Sequence, residues 1–229
     1  MTASALKIIA MAGMIIDHVG AVFFPGIPLL RIIGRVSFPI FCFLITEGYK
    51  KTSNIYKYMI RLLLCGFLSE IPFDMVFYGR IALEHQNVLF TLLAGIAAVY
   101  ALDKMKNAQA LVIVLVLALG AQCLGTDYGA YGVLLIVLFY MAGENVCYPL
   151  LKKNIMDEKM DVRRTILVAV PTVYQLIGAY GIQRFSAVST LFIAAYNGKK
   201  GKFPGRIFYL FYPVHLIVIA IILQLQYRM

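Results

Sequence analysis

Two adjacent residues, Asp17 and His18, interrupt an otherwise apolar stretch at residues 8–24. A titratable side chain inside hydrocarbon is costly, so such a residue is a candidate for function. An imidazole titrates near neutral pH and is suited to take a proton from an amine or a hydroxyl as a general base. We therefore predict that His18 is a general base and that Asp17 holds or polarises its imidazole. A purely structural, hydrogen-bonded histidine is the alternative.

Lys7 lies eleven residues before His18 on the same predicted helix. Eleven steps of about 100° return to within about 20° of the starting direction, so the two side chains share one face. A rise of about 1.5 Å per residue separates them by about 16 Å along the axis. This spacing predicts Lys7 near the inner membrane surface and His18 in the outer half of the membrane.

Further polar residues are predicted at a depth similar to that of His18. Arg31 and Arg35 are four residues apart, as are Glu70 and Asp74, so each pair shares a helix face. We predict that these groups line one outer cavity and bind substrate, although salt bridges between the arginines and the carboxylates explain them equally well. The predicted substrate-binding set is Arg31, Arg35, Glu70, Asp74, Asn87 and His215.

Basic residues cluster in the links between predicted helices. Their simplest explanation is membrane orientation together with attraction to anionic lipid. The functional alternative is a docking site for a phosphorylated cytosolic cofactor, with Lys7, Lys50, Lys51, Lys199, Lys200 and Lys202 as its residues. A P-loop sequence and an HExxH sequence are both absent, and the four cysteines occur singly. We therefore expect neither a P-loop nucleotide site nor a metal site.

The composition requires these side chains to be held by membrane helices. Apolar residues make up 62% of the 229 residues and charged residues 14%, with a mean hydropathy of +0.83. Soluble domains are about 45–50% apolar and about 25% charged, so a soluble enzyme, a disordered chain and a disulfide scaffold are excluded. We predict an all-α integral membrane protein, a single domain over 1–229, with about nine transmembrane helices. The predicted spans are 5–24, 35–50, 58–78, 88–103, 108–125, 128–150, 164–181, 184–197 and 205–227.

The distribution of basic residues predicts the orientation of this bundle. Sixteen of the 21 Lys and Arg residues fall on one side of the predicted layout and five on the other. Basic links stay in the cytoplasm, so the N-terminus is predicted to be cytoplasmic in a multi-pass protein of the inner membrane. The same rule explains the net charge of +10 without nucleic acid as a partner. The link 151–164 is amphipathic and predicted to lie on a membrane surface, and the segment 184–197 is short for a span.

Five sequence blocks give the chain a resemblance to a known family. In order they read LKIIAMAGMIIDHVG, LRIIGRVSFPIFCFLITEGYKKT, GFLSEIPFD, QNVLFTL and FYLFYPVHL. The chain resembles the TraX family, whose members are linked to N-acetylation of conjugative pilin and are similar to the membrane acyltransferase family 3 superfamily, which uses acyl-CoA. The resemblance implies that His18 is the catalytic histidine and that Lys7 is the basic residue of the superfamily motif. It also implies functional positions for Asp17, Arg31 and Arg35.

Together these observations predict a membrane acetyltransferase. Acetyl-CoA is expected to bind from the cytoplasm, and the acceptor is an amine such as a peptide or pilin N-terminus, or a hydroxyl. With no serine or cysteine nucleophile next to His18 in sequence, direct transfer without a covalent enzyme intermediate is the simpler mechanism. Two other classes remain open, a proton-coupled transporter and a non-catalytic membrane component of a conjugation system.

Overall fold

The computed structural model describes residues 1–82, 84–143, 159–202 and 207–228, with the side chains of 159–164, 227 and 228 outside the description. In these ranges the chain forms helices and no strand, which confirms the predicted all-α class. The helices are α1 Ala3–Val22, α2 Pro28–Gly34, α3 Ser37–Lys51, α4 Ile55–Phe77, α5 Val88–Lys104, α6 Asn107–Cys123, α7 Gly129–Gly143, α8 Lys159–Gly178, a 3₁₀ helix Gly181–Val188, α9 Ser189–Ala194 and α10 Ile207–Arg228.

Three of these helices begin at a side chain that caps them. Thr2, Asn54 and Asn87 stand immediately before α1, α4 and α5, and each accepts a hydrogen bond from a backbone N–H two or three residues later. A cap of this kind satisfies one of the N–H groups that a helix start leaves unpaired, and it stabilises the helix by about 1 kcal/mol. The caps explain why these apolar segments start where they do.

Three described helical segments are long and apolar enough to cross a membrane, namely Ala3–Val22, Pro28–Lys51 and Ile207–Gln226. Three shorter segments are also apolar: Asn107–Cys123, Gly129–Gly143 and Thr165–Gly178. These helices coincide with predicted spans. The finer expectations, about nine spans and a cytoplasmic N-terminus, stay predictions.

The structure changes two details of the predicted layout. The segment predicted as one span at 184–197 is a 3₁₀ helix followed by the six-residue α9. The link between the predicted spans 5–24 and 35–50 contains a helix of its own, α2, which begins at Pro28. Proline is favoured in the first turn of a helix because its fixed φ is already helical. The last part of the span predicted at 128–150, from residue 144, lies outside the described part of the chain. So do residues 151–158 of the link that was predicted to lie on a membrane surface.

Packing divides the helices around a central gap. α1 packs mainly on α2 and α3, whereas α10 packs mainly on α4 and meets α1 at few points. α5 contacts α4, α6 and α7. One buried apolar cluster draws on α1, α3, α4, α5, α7 and α10, and a second joins α6 to α5 and α7.

The contact between α1 and α2 is closest at Gly34. A Cβ added at Gly34 would lie 2.6 Å from the Cα of Asp17, a distance that real Cβ atoms do not show. Backbone thus meets backbone at this crossing. This approach brings Arg31 and Arg35, at the end of α2, beside the carboxylate of Asp17.

Replacing Gly34 with alanine is therefore expected to force α1 and α2 apart. Overpacking of this kind destabilises a protein by about 1–3 kcal/mol. We expect a lower apparent melting temperature of the purified Gly34→Ala protein in detergent. Gly26→Ala is the control, because a Cβ at Gly26 meets nothing within 4 Å. Equal melting temperatures for the two variants would contradict the close crossing.

Candidate active site

A cavity of about 1060 Å³ occupies the gap between the helix groups, lined by residues of α1 to α5 and α10. One end, here called the histidine end, carries Asp17, His18, Arg31, Arg35, Asp127 and Tyr128. The other, called the lysine end, carries Lys7, Lys51, Arg61 and Lys200. The wall between them is largely apolar, with Phe38, Phe41, Leu44, Ile45, Leu62 and Phe73. The cavity thus joins two polar ends through an apolar middle.

The imidazole of His18 meets a second imidazole at the histidine end. His18 Nδ1 lies 2.9 Å from His215 Nε2, and His215 Nδ1 lies 3.0 Å from the carbonyl oxygen of Phe211. His215 is buried, with 7% of its surface exposed, and lies behind His18. His215 is not among the residues that line the cavity, and its predicted role in substrate binding stays a prediction.

The carboxylate of Asp17 faces the arginines. Arg35 Nε donates to Asp17 Oδ1 at 3.1 Å, Arg35 Nη2 donates to Oδ2, and Arg31 Nε lies 3.6 Å from Oδ1. Adjacent residues of a helix point about 100° apart, so Asp17 is directed at α2 while His18 is directed at α10. The expectation that Asp17 holds the imidazole is wrong, as is the expectation that the arginines pair with Glu70 or Asp74.

The two arginines differ in the donors that they leave free. Arg35 Nη1 donates to the hydroxyl of Tyr128 at 3.3 Å and to Gln183 Oε1 at 3.2 Å, so all three of its nitrogens are engaged. In the described part of the chain, the terminal nitrogens of Arg31 make no hydrogen bond, and its side chain is 29% exposed. Arg31 is therefore the arginine able to receive an anionic or carbonyl oxygen in the cavity.

Glu70, Asp74 and Asn87 form a separate network away from the cavity wall. Asn87 Nδ2 donates to the Gly66 carbonyl at 2.8 Å and to Glu70, and the backbone N–H of Ala82 donates to Asp74 at 2.9 Å. These bonds fasten the link between α4 and α5. None of the three is among the residues that line the cavity, and their predicted role in substrate binding stays a prediction.

Aromatic rings hold two cations at the lysine end. Lys7 Nζ lies 4.3 Å from the ring centre of Phe208. Arg61 lies 5.7 Å from the ring of Tyr58 and 5.6 Å from the ring of Tyr209. Aromatic rings stabilise a cation that lies over their faces. This arrangement suits the recognition of phosphate by arginine.

Two further lysines reach this end. Lys51 Nζ donates to Glu47 at 2.9 Å, to Tyr196 at 2.9 Å and to the Gly198 carbonyl at 3.2 Å. Lys200 is positioned through its backbone, because its carbonyl accepts the N–H of Ser4 at 3.0 Å at the start of α1. Of the predicted cofactor-binding residues, Lys7, Lys51 and Lys200 line the cavity, whereas Lys50, Lys199 and Lys202 do not.

Comparison with known proteins identifies the family. The model of the TraX protein family matches residues 2–223. The chain belongs to the TraX family. It is 32% identical over 238 residues to "Probable fimbrial assembly protein FimC, serogroup H1" of Dichelobacter nodosus, covering 96% of this chain and 94% of that protein. It is 21% identical over 223 residues to "Protein TraX" of Escherichia coli, covering 95% of this chain and 85% of that protein. No solved structure matches.

Several residues of the site in this TraX-family chain were given no catalytic or binding role from the sequence. Tyr128 has a φ of +69° and stacks on Phe38, with the ring centres 3.6 Å apart. Its hydroxyl accepts a hydrogen bond from Arg35. The neighbouring Asp127 lines the cavity. A turn signal was available, since glycines with positive φ stand on either side, at Gly125 and Gly129. Arg61 and Gln183 carried no comparable local signal, because their partners lie on other elements.

In the ranges that the structure describes, no group of three or more His, Cys, Asp or Glu side chains is arranged to hold a metal ion. The predicted absence of a metal cofactor stays a prediction. The count of basic residues on the two faces also stays a prediction, because several of them lie outside the described side chains: Lys152, Lys153, Lys159, Arg163, Arg164, Arg206 and Arg228.

Proposed function

We propose that this TraX-family chain is a membrane-embedded acetyltransferase that moves an acetyl group from cytosolic acetyl-CoA to an amine or hydroxyl acceptor. The observation that carries the proposal is the continuous cavity of about 1060 Å³ that joins the cationic lysine end to the imidazole of His18. Its two ends are separated by about 16 Å along α1. A long thin substrate with a charged head and a reactive tail fits this shape.

The donor matches the cavity in its distribution of charge. The nucleotide part of acetyl-CoA carries phosphates, which Lys7, Arg61 and Lys200 attract at the lysine end. The pantetheine arm is long and uncharged, and it lies along the apolar wall. The thioester at its tip then reaches His18, where Arg31 offers N–H donors that make no hydrogen bond within the described residues.

His18 performs the proton transfer. It takes a proton from the acceptor nitrogen as that nitrogen attacks the thioester carbonyl carbon. The oxygen of the tetrahedral intermediate is stabilised by the donors of Arg31. The C–S bond then breaks, the sulfur leaves as the thiolate of CoA, and His18 returns the proton to that sulfur. No covalent enzyme intermediate is needed.

The proposed acceptor is an amine at a peptide or pilin N-terminus. The support comes from the relatives, one of which bears the name of a fimbrial assembly protein. A small-molecule amine is the other acceptor of the same chemistry. Both would enter at the histidine end, from outside or from the bilayer.

We place the chain as a multi-pass protein of the inner membrane. Large apolar side chains are exposed in rows along α4, α6 and α10, where water would disfavour them and lipid would not. These rows are Ile60, Leu64, Phe67, Leu68 and Ile71 on α4, Leu111, Val112, Leu115, Val116 and Leu119 on α6, and Leu210, Val214, Ile217, Val218 and Ile221 on α10.

A non-catalytic role in pilus assembly or conjugation is the second candidate, favoured by the names of the relatives. The deciding experiment uses the purified protein in lipid nanodiscs with radiolabelled acetyl-CoA and a peptide that has a free N-terminus. Acetyl transfer requires saturable acetyl-CoA binding and release of free CoA that depends on the peptide. Absence of both would exclude the acetyltransferase. In proteoliposomes, movement of a solute without CoA release would instead identify a transporter.

Replacing Arg61 with alanine is expected to weaken donor binding. Hydrogen bonds to charged groups contribute about 1.5–3 kcal/mol, so the KM for acetyl-CoA should rise about tenfold or more. kcat should change little, because Arg61 is at the end of the cavity opposite His18. The comparison is with Arg80→Ala, which removes an arginine from an exposed pair with Glu84. An unchanged KM for Arg61→Ala would remove this residue from the donor site.

A further inference from the structure

The hydrogen bonds behind His18 determine where its protons are. A carbonyl oxygen only accepts hydrogen bonds, so the 3.0 Å contact between His215 Nδ1 and the carbonyl of Phe211 requires a proton on Nδ1. A neutral imidazole carries one proton, which leaves Nε2 of His215 as an acceptor. This nitrogen is 2.9 Å from Nδ1 of His18.

The same reasoning extends to His18. A hydrogen bond between the two rings needs one proton, and since His215 Nε2 has none to give, His18 Nδ1 donates. Neutral His18 then has its lone pair on Nε2. The ring orientation is held by neighbours, because Phe77 meets His18 edge-on at 5.1 Å and Phe211 stacks on His215 at 4.7 Å.

We propose that His215 is a positioning residue that fixes His18 in its Nδ1–H tautomer and so makes Nε2 the atom that takes the acceptor's proton. This inference rests on the proposed acetyl transfer and adds to it the nitrogen that reacts and the group that selects it. When Nε2 is protonated, the imidazolium of His18 still donates through Nδ1 to His215. His215 thereby performs the task that an acidic partner performs for a catalytic histidine elsewhere.

Asp17, whose carboxylate is next to His18 in sequence, does not orient the imidazole of His18. Asp17 is held by two nitrogens of Arg35 on the other side of α1. His215, which is 197 residues from His18 in sequence, is the described side chain that bonds to its Nδ1. The pairing thus links α1 directly to α10.

A matched pair of variants tests the selection. In His215→Gln the amide reaches the former position of Nε2 and can accept from His18, whereas in His215→Asn the shorter amide does not reach. We expect the kcat of His215→Gln to stay within about fivefold of the wild-type value. We expect His215→Asn to lose about 100-fold in kcat with an unchanged KM for acetyl-CoA. A loss of this size is within the range that a positioned general base contributes. Equal activity of the two variants would overturn the proposal.

The tautomer of His18 can be measured without an activity assay. Nitrogen-15 NMR of the protein labelled at histidine distinguishes a protonated from an unprotonated ring nitrogen, and the signals of the three histidines are assigned with His85→Gln and His215→Gln. We expect Nδ1–H and bare Nε2 for both His18 and His215 in the wild-type protein. A proton on Nε2 of neutral His18 would refute the inference even if acetyl transfer is found. If no transfer is found but the tautomer is as stated, the proposed function fails and the positioning by His215 stands.

Discussion

Replacing His18 with glutamine is expected to abolish acetyl transfer while acetyl-CoA binding is kept. A positioned general base contributes about 100- to 10,000-fold to a proton-transfer step, and glutamine fills similar space without accepting the proton. The phosphates would bind at the lysine end, about 16 Å away along α1. The expected result is therefore a loss in kcat of at least about 100-fold with an unchanged dissociation constant for acetyl-CoA.

The measurement is release of free CoA in the presence of peptide, with binding followed separately by equilibrium dialysis in nanodiscs. His85→Gln is the matched control, because His85 is exposed and outside the cavity wall. A well-folded His18→Gln protein with full transfer activity would refute the assignment of the base. Loss of both binding and transfer would show instead that the variant disturbs the bundle.

The second large effect is expected on stability, at the ion pair of Asp17 and Arg35. The two side chains are 10% and 12% exposed, and removal of one partner leaves a buried charge uncompensated. Breaking a buried pair in this way costs about 3–5 kcal/mol. Asp17→Asn should therefore lower the free energy of unfolding by an amount of this order, measured by SDS titration in mixed lipid and detergent micelles.

Two further variants show whether the buried charge is the cause. The double variant Asp17→Asn/Arg35→Gln removes both charges and is expected to be more stable than Asp17→Asn alone. Glu84→Gln breaks an exposed arginine–carboxylate pair and should leave stability unchanged. If Asp17→Asn is as stable as the wild-type protein, the pair does not hold α1 to α2.

Residues within one helix were placed correctly by the sequence. The eleven-residue spacing predicted that Lys7 and His18 share a face, and both line the same cavity. The period of a helix is fixed by its backbone hydrogen bonds, so relations along one helix follow from residue numbers alone. The composition predicted the all-α class for a similar reason, since long apolar segments satisfy their backbone groups internally only as helices.

Pairing between helices was predicted poorly. The arginines of α2 were assigned to the carboxylates of α4, because all four lay at a similar predicted depth and had opposite charge. Depth, however, does not specify which helices are neighbours. The close crossing at Gly34 brings α2 against α1, so the arginines meet Asp17, and Glu70 and Asp74 are left to fasten the link after α4.

The sequence by itself determined the all-α class, most of the helices and the polar residues that share a helix face, because these depend on local geometry of a few turns. The tertiary structure alone decided that His18 bonds to His215, that Asp17 bonds to Arg35 and that Arg31 keeps free donors. These contacts depend on the packing of distant helices, and packing is set by the shapes of many side chains together. For this reason the groups proposed to react were visible in the sequence, whereas the partners that orient them were not.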